Sequence, residues 1–126
     1  MSFIYNKETT LTKERAQALA VLMPTIHAEA TVAASEACTE VLNKYGNRDA
    51  CGFAWVEVYG VRTNSKLGKA LIAVGFSKSY TGALQLWNPS TNPTQAITAK
   101  EKGADAYAEV LRTYGIERAY AGSRID

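Results

Sequence analysis

The chain is short of the residues on which most catalytic chemistry depends. It has 126 residues but one histidine, His27, and two cysteines, Cys38 and Cys51. Zinc sites are assembled from several Cys, His and carboxylate ligands. His27 and Cys38, about three helical turns apart, do not make one by themselves. Cys51 with His27 as a nucleophile and base has no supporting residue nearby, and a small packed thiol is the simpler role. No metal, cofactor or catalytic residue is therefore expected, and the balance leans against an enzyme.

Other shortages bound the setting. The N-terminal "MSFIYNKETT" lacks the apolar core of a secretory signal. With so few cysteines, the expectation is a reducing intracellular compartment and free thiols. The longest apolar run, Ala16 to Cys38, is broken by His27, Glu29 and Glu36, so no membrane span is expected. The net charge is only +2, too little to imply a nucleic-acid partner alone. Its distribution says more. From Gly52 to Ala99, Arg62, Lys66, Lys69 and Lys78 stand against Glu57 as the sole acidic residue.

What is present is an ordinary globular mix, 47% hydrophobic and 21% charged. The length suits a single domain, 1–126, able to bury a real core. No repeat, low-complexity tract or linker divides it. Residues 1–9 read as an arm, with an edge strand at "FIY". Residues 10–46 read as helical, with Thr12 as N-cap and Glu14 in the first turn. Ala16, Leu19, Ala20 and Met23 recur at helical spacing, and so do Ile26, Ala30, Ala33, Ala37 and Val41. Pro24 between the two sets is expected to kink or break the helix. Gly46 closes it.

From residue 50 the rhythm changes. "FAWVEVYGV" reads as a strand. Asn64 is the expected cap of a helix carrying Leu67, Ala70, Leu71 and Val74, which Gly75 ends. "SYTGALQLW" is a second strand, and "NPSTNPTQ" a turn-rich loop. "TAKE", Thr98 to Glu101, reads as a capping box. It opens a helix with Ala104, Tyr107, Ala108 and Leu111 on its face. "RAYAGSR" is a third strand. The expected fold is α/β: a small three-stranded, largely parallel sheet in βαβαβ order over 50–126, preceded by the Ala-rich helical arm.

Alternation splits each strand into two faces. Ala54, Val56, Val58, Leu84, Leu86, Ala119 and Ala121 belong beneath the helices. The opposite face then carries Trp55, Tyr59, Trp87, Arg118, Tyr120 and Arg124. Such a face can stack bases, each worth about 1–3 kcal/mol on an aromatic side chain. The competing reading has the N-terminal helices or a second copy covering it, which makes the rings core. Glu57 among them needs a partner, and Arg118 or Arg124 could supply it. Glu101, Asp105 and Glu109 run along the solvated side of the last helix.

Between "VEVYGVRTNSKLGKALIAVGF" and a phosphate-binding loop the likeness is superficial. That loop needs G-x-x-x-x-G-K-[ST]. Here Gly60 stands too far from Gly68-Lys69, and Ala70 replaces the hydroxyl residue. A weaker expectation survives: Arg62, Ser65 and Lys66 cluster at a helix N-terminus, where free N–H groups attract anions. The alternative is a solvated basic loop.

"CGFAWV" (51–56), "YTGALQLWNPS" (80–90), "AKEKGADAYAEVLR" (99–112) and "AYAGSRID" (119–126) together resemble a group of small uncharacterised proteins of tailed bacteriophages. The resemblance implies a setting, the cytoplasm of an infected bacterium or the virion, and no catalytic residue. The function expected is non-enzymatic binding. The leading partner is single-stranded nucleic acid or a phosphate-bearing ligand, stacked on Trp55, Tyr59 and Trp87 and met by Arg62, Lys66, Arg118 and Arg124. The alternative is a protein-interaction module, docking on a host or virion protein or on copies of itself.

Overall fold

A computed structural model describes residues 12–46 and 49–125; the expected arm and its strand at "FIY" lie outside these residues. The elements are α1 (Lys13–Tyr45), β1 (Gly52–Val58), α2 (Lys66–Ala73), β2 (Ser77–Lys78), β3 (Leu84–Trp87), α3 (Ile97–Thr113) and β4 (Ala119–Ile125).

The sheet is four-stranded, ordered β2-β3-β1-β4, and every pairing is antiparallel. This overturns the expected three-stranded parallel sheet. The cause is one hairpin. "SYTGALQLW" is not a single strand: residues 79–83 turn, with the Gly82 N–H donating to the Ser79 carbonyl at 3.0 Å. Ser77–Lys78 before the turn pairs with β3 after it. Two exposed polar residues carry neither alternation nor β-branched content, so nothing marked them as a strand. The extra reversal flips β3 and β4 relative to β1. The resulting β-α-β-β-α-β order is the split-βαβ, ferredoxin-like connectivity, with α1 added in front.

α1 runs without interruption through Pro24, so the expected break is absent. A proline inside a helix costs about 3 kcal/mol. Here Leu19, Met23, Ile26, Ala30, Ala34 and Cys38 form one buried stripe on both sides of it, and that packing outweighs the lost hydrogen bond. Thr12 caps the helix as expected, its Oγ1 accepting from Arg15 N–H at 3.1 Å. α1 packs along α3 and against α2. Small residues allow the approach: a Cβ on Gly103 of α3 would stand 3.2 Å from the Ala34 carbonyl oxygen. By length and composition α1 could also cross a bilayer; in the fold its polar His27 and Glu29 bond to Tyr107 and Tyr114.

Two helix starts differ from expectation. Ser65, not Asn64, caps α2. α3 has no side-chain cap from its own N-cap residue, Ala96. The carboxylate of distant Asp49 accepts from Thr98 N–H at 2.8 Å instead. Glu101, expected to close a capping box, accepts from the Ser123 hydroxyl.

The core lies between the sheet and the helices. Val56, Val58, Leu71, Leu84, Tyr107, Leu111 and Ala119 are fully buried there. Along β1 every inward residue is buried and every outward one only partly so. α3 lies on β1 and β4, and α2 touches β3. All three described helices therefore stack on one side, and no described element covers the other side of the sheet.

Candidate functional site

The open face is built on the two central strands. Phe53, Trp55, Glu57 and Tyr59 project from β1 and its end; Gln85 and Trp87 project from β3. Register places Trp55 opposite Trp87 and Glu57 opposite Gln85. On the other flank Trp55 faces Gly122, Glu57 faces Tyr120 and Phe53 faces Arg124. A bond from the Tyr59 N–H to the Arg118 carbonyl, 3.0 Å, continues the ladder past Val58. Alternation therefore brings Trp55, Tyr59, Trp87, Arg118, Tyr120 and Arg124 together on one side, as expected, although the strands run the other way.

The rings form two groups. Trp55 and Trp87 lie tilted with centroids 4.7 Å apart, and Phe53 meets Trp87 edge-on at 5.9 Å. At the other end Tyr59 and Tyr120 are 6.2 Å apart. Gly122 makes room for the first group, since a Cβ there would fall 2.6 Å from Trp55 Nε1. Trp87 and Tyr120 remain 46% and 50% exposed, so solvent reaches both groups.

Cations sit over the outermost rings. The Arg124 guanidinium lies 5.8 Å from the Phe53 centroid and Arg118 lies 5.7 Å from that of Tyr59. Such contacts contribute about 0.5–1 kcal/mol at exposed sites. The buried Lys100 also approaches Phe53, at 5.6 Å, and its Nζ donates to the Gly52 carbonyl at 2.9 Å. Lys100 escaped the sequence reading, although it stands four residues before Ala104 on the inward stripe of α3.

Glu57 organises the centre. Its Oε1 accepts from Trp55 Nε1 at 2.8 Å and, at a longer 3.5 Å, from Gln85 Nε2. Its Oε2 accepts from the Tyr59 hydroxyl. Gln85 Oε1 in turn accepts from Trp87 Nε1 at 3.3 Å. The expected partners, Arg118 and Arg124, are over rings instead. Burial pushes the Glu57 carboxyl up, but the bonds from Tyr59, Trp55 and Gln85 together outweigh it and hold the carboxyl below its usual range. The bond to Glu57, more than burial, raises Tyr59. Both indole N–H groups are thus spent on one network that fixes the rings.

The basic loop lies beyond Tyr59. A Cβ on Gly60 would come within 3.2 Å of Arg118 Nη1, so Arg118 borders both regions. Arg62 lines a shallow depression with Thr63, Asn64, Lys78 and Gly82. Ser65 Oγ donates to the Arg62 carbonyl at 2.6 Å and accepts from Gly68 N–H at 3.0 Å. Its hydroxyl is engaged in shaping the turn, and Lys66 is the exposed first residue of α2. Gly68 is needed for the same fold-back: a Cβ there would stand 2.0 Å from the Arg62 carbonyl oxygen.

Elsewhere, His27 Nδ1 pairs with the Tyr107 hydroxyl at 2.6 Å inside the helical layer. Cys38 is buried, Cys51 exposed, and both are free. No group of three or more His, Cys, Asp and Glu among the described residues could hold a metal ion. Compared with known proteins, the chain matches no family model, no curated protein and no solved structure.

Proposed function

We propose that the chain is a non-enzymatic binding protein that lays single-stranded nucleic acid across the outer sheet face. The observation that carries this reading is the row of half-buried Phe53, Trp55 and Tyr59 with exposed Trp87 on the two central strands, over which no described element lies, with arginines over its ends. Aromatic side chains on the central strands of a four-stranded sheet are how RNA-recognition sheets stack bases; the likeness is one of arrangement. Arg118 and Arg124 would meet phosphates at the two ends, with Arg62 and Lys66 extending the path beyond Tyr59. A shorter phosphate-bearing ligand could use the same groups. The setting we propose, from the resemblance to tailed-phage proteins, is the infected bacterium or the virion.

A second reading has its own observation. Val21, Leu22 and Val32 are exposed on the outward side of α1, which suits contact with a host or virion protein or with another copy.

The two readings separate in one preparation. Purified at low salt, a nucleic-acid binder should carry or accept short labelled oligonucleotides as a monomer on a sizing column. With two to four phosphate contacts, log K should fall with log salt at a slope of about −1.5 to −3, near −0.7 per contact. A protein that ignores every oligonucleotide and elutes as a dimer would replace the first reading with the second.

A further inference from the structure

The centre of the outer face differs chemically from its ends. Glu57 and Gln85 stand directly opposite each other there, between the two ring groups. An ionised carboxylate offers about four lone-pair sites. Among the described residues Trp55, Gln85 and Tyr59 occupy three of them, which leaves one on Oε2. The Gln85 amide nitrogen uses one N–H on Glu57, and its second N–H has no partner among the described residues. One strong acceptor and one donor therefore lie side by side in the middle of an aromatic platform.

A negative charge repels phosphate, so a strand crossing this face must keep its backbone toward Arg118 and Arg124. A base then lies over the centre. Cytosine presents an exocyclic N4 amino group beside the N3 acceptor, which matches Glu57 and Gln85 in turn; carboxylates accept from this amino group in base recognition generally. Uracil fits worse. Its only ring donor, N3–H, lies between two carbonyls, and placing it on Glu57 brings a carbonyl oxygen against the carboxylate.

We propose that Glu57, with Gln85, makes the face selective for bases bearing an exocyclic amino group, and so for cytosine over uracil. This rests on the nucleic-acid reading of the face. The two pyrimidines are compared because they stack alike and differ mainly at this edge.

The test is titration of short oligodeoxycytidine and oligodeoxyuridine into the protein at neutral pH and low salt, followed by tryptophan fluorescence. Cytosine should be preferred about tenfold, the scale of one hydrogen bond to a charged group. Glu57→Gln keeps the shape and an acceptor for Trp55 but loses the charge, and the preference should fall to about twofold or less. Should that variant melt early, Gln85→Leu decides, since it removes the donor and should also narrow the preference. Equal binding of both oligomers by the natural protein, or an unchanged preference in the folded variants, overturns the selectivity alone. Failure of both oligomers to bind overturns the selectivity and the reading of the face together.

Discussion

The two faces of the sheet are written by alternate residues of the same strands, yet different forces hold them. On the inner face Ala54, Val56 and Val58 are shut away under α3, and order comes from dense apolar packing. Burying a valine such as Val56 or Val58 contributes about 1.5–3 kcal/mol. On the outer face no described element lies over the rings. They lean on one another, on Gly122 and on Arg118 and Arg124, and their polar atoms converge on Glu57. The inner face is ordered because it is covered; the outer face is ordered with no described element over it. A fixed, wet aromatic surface is what a stacking site needs and what a core does not.

That contrast can be broken from either side. The largest effect belongs to the helical side. Leu71 is fully buried in α2, and Leu71→Ala should lower stability by about 2–5 kcal/mol in denaturant melts. Oligonucleotide affinity, measured where the variant is still folded, should stay near that of the natural protein. A parallel loss of binding would mean that the two faces are not independent.

Trp55→Ala should do the reverse. Losing one stacked base costs about 1–3 kcal/mol of affinity, read by anisotropy, while the melt moves less than for Leu71→Ala. The Trp55–Trp87 exciton signal in circular dichroism should vanish with it.

The His27–Tyr107 bond tests the inner layer through pH. Burial lowers the His27 pKa below its ordinary 6.5, so the unfolded chain takes up the proton at higher pH than the folded one. The stability from this site is complete above about pH 6.5 and falls as pH drops through the folded value. Tyr107→Phe removes the partner and should cost about 1 kcal/mol at neutral pH. Because burial is the cause of the shift, the acid-side fall in melts from pH 8 to 5 should persist in this variant.

The smallest effect is electrostatic. Arg118→Ala should reduce the magnitude of the salt slope by about 0.7, one single-strand phosphate contact, and weaken all sequences alike, leaving the melt nearly unchanged. A slope unaltered by this substitution would remove Arg118 from the phosphate path.

How much of this could be read beforehand follows from what each pattern senses. Alternation with a period of two assigns side chains to faces and is blind to strand direction. Trp55, Tyr59, Trp87, Tyr120 and Arg124 share a face in the parallel and the antiparallel arrangement alike. Direction depended on Ser77–Lys78, two polar residues whose strand character comes only from pairing with Gln85 and Leu84. Pro24 was given its local preference, and tertiary packing along the Leu19–Cys38 stripe overrode it. The cap of α3 is supplied by Asp49, 49 residues before Thr98, a distance no local capping pattern spans. Glu57 was recognised as needing a partner, but the choice of Trp55, Tyr59 and Gln85 over the arginines depends on side-chain geometry.

The central claim is that the outer face is open and takes single-stranded nucleic acid. Both tryptophans of the chain, Trp55 and Trp87, lie on that face, so intrinsic fluorescence reports on it directly. The free protein should show emission of partly solvent-exposed indoles, quenching by a short single-stranded oligonucleotide at low salt, and recovery as salt is raised. Emission that starts blue-shifted and is indifferent to any oligonucleotide would contradict it.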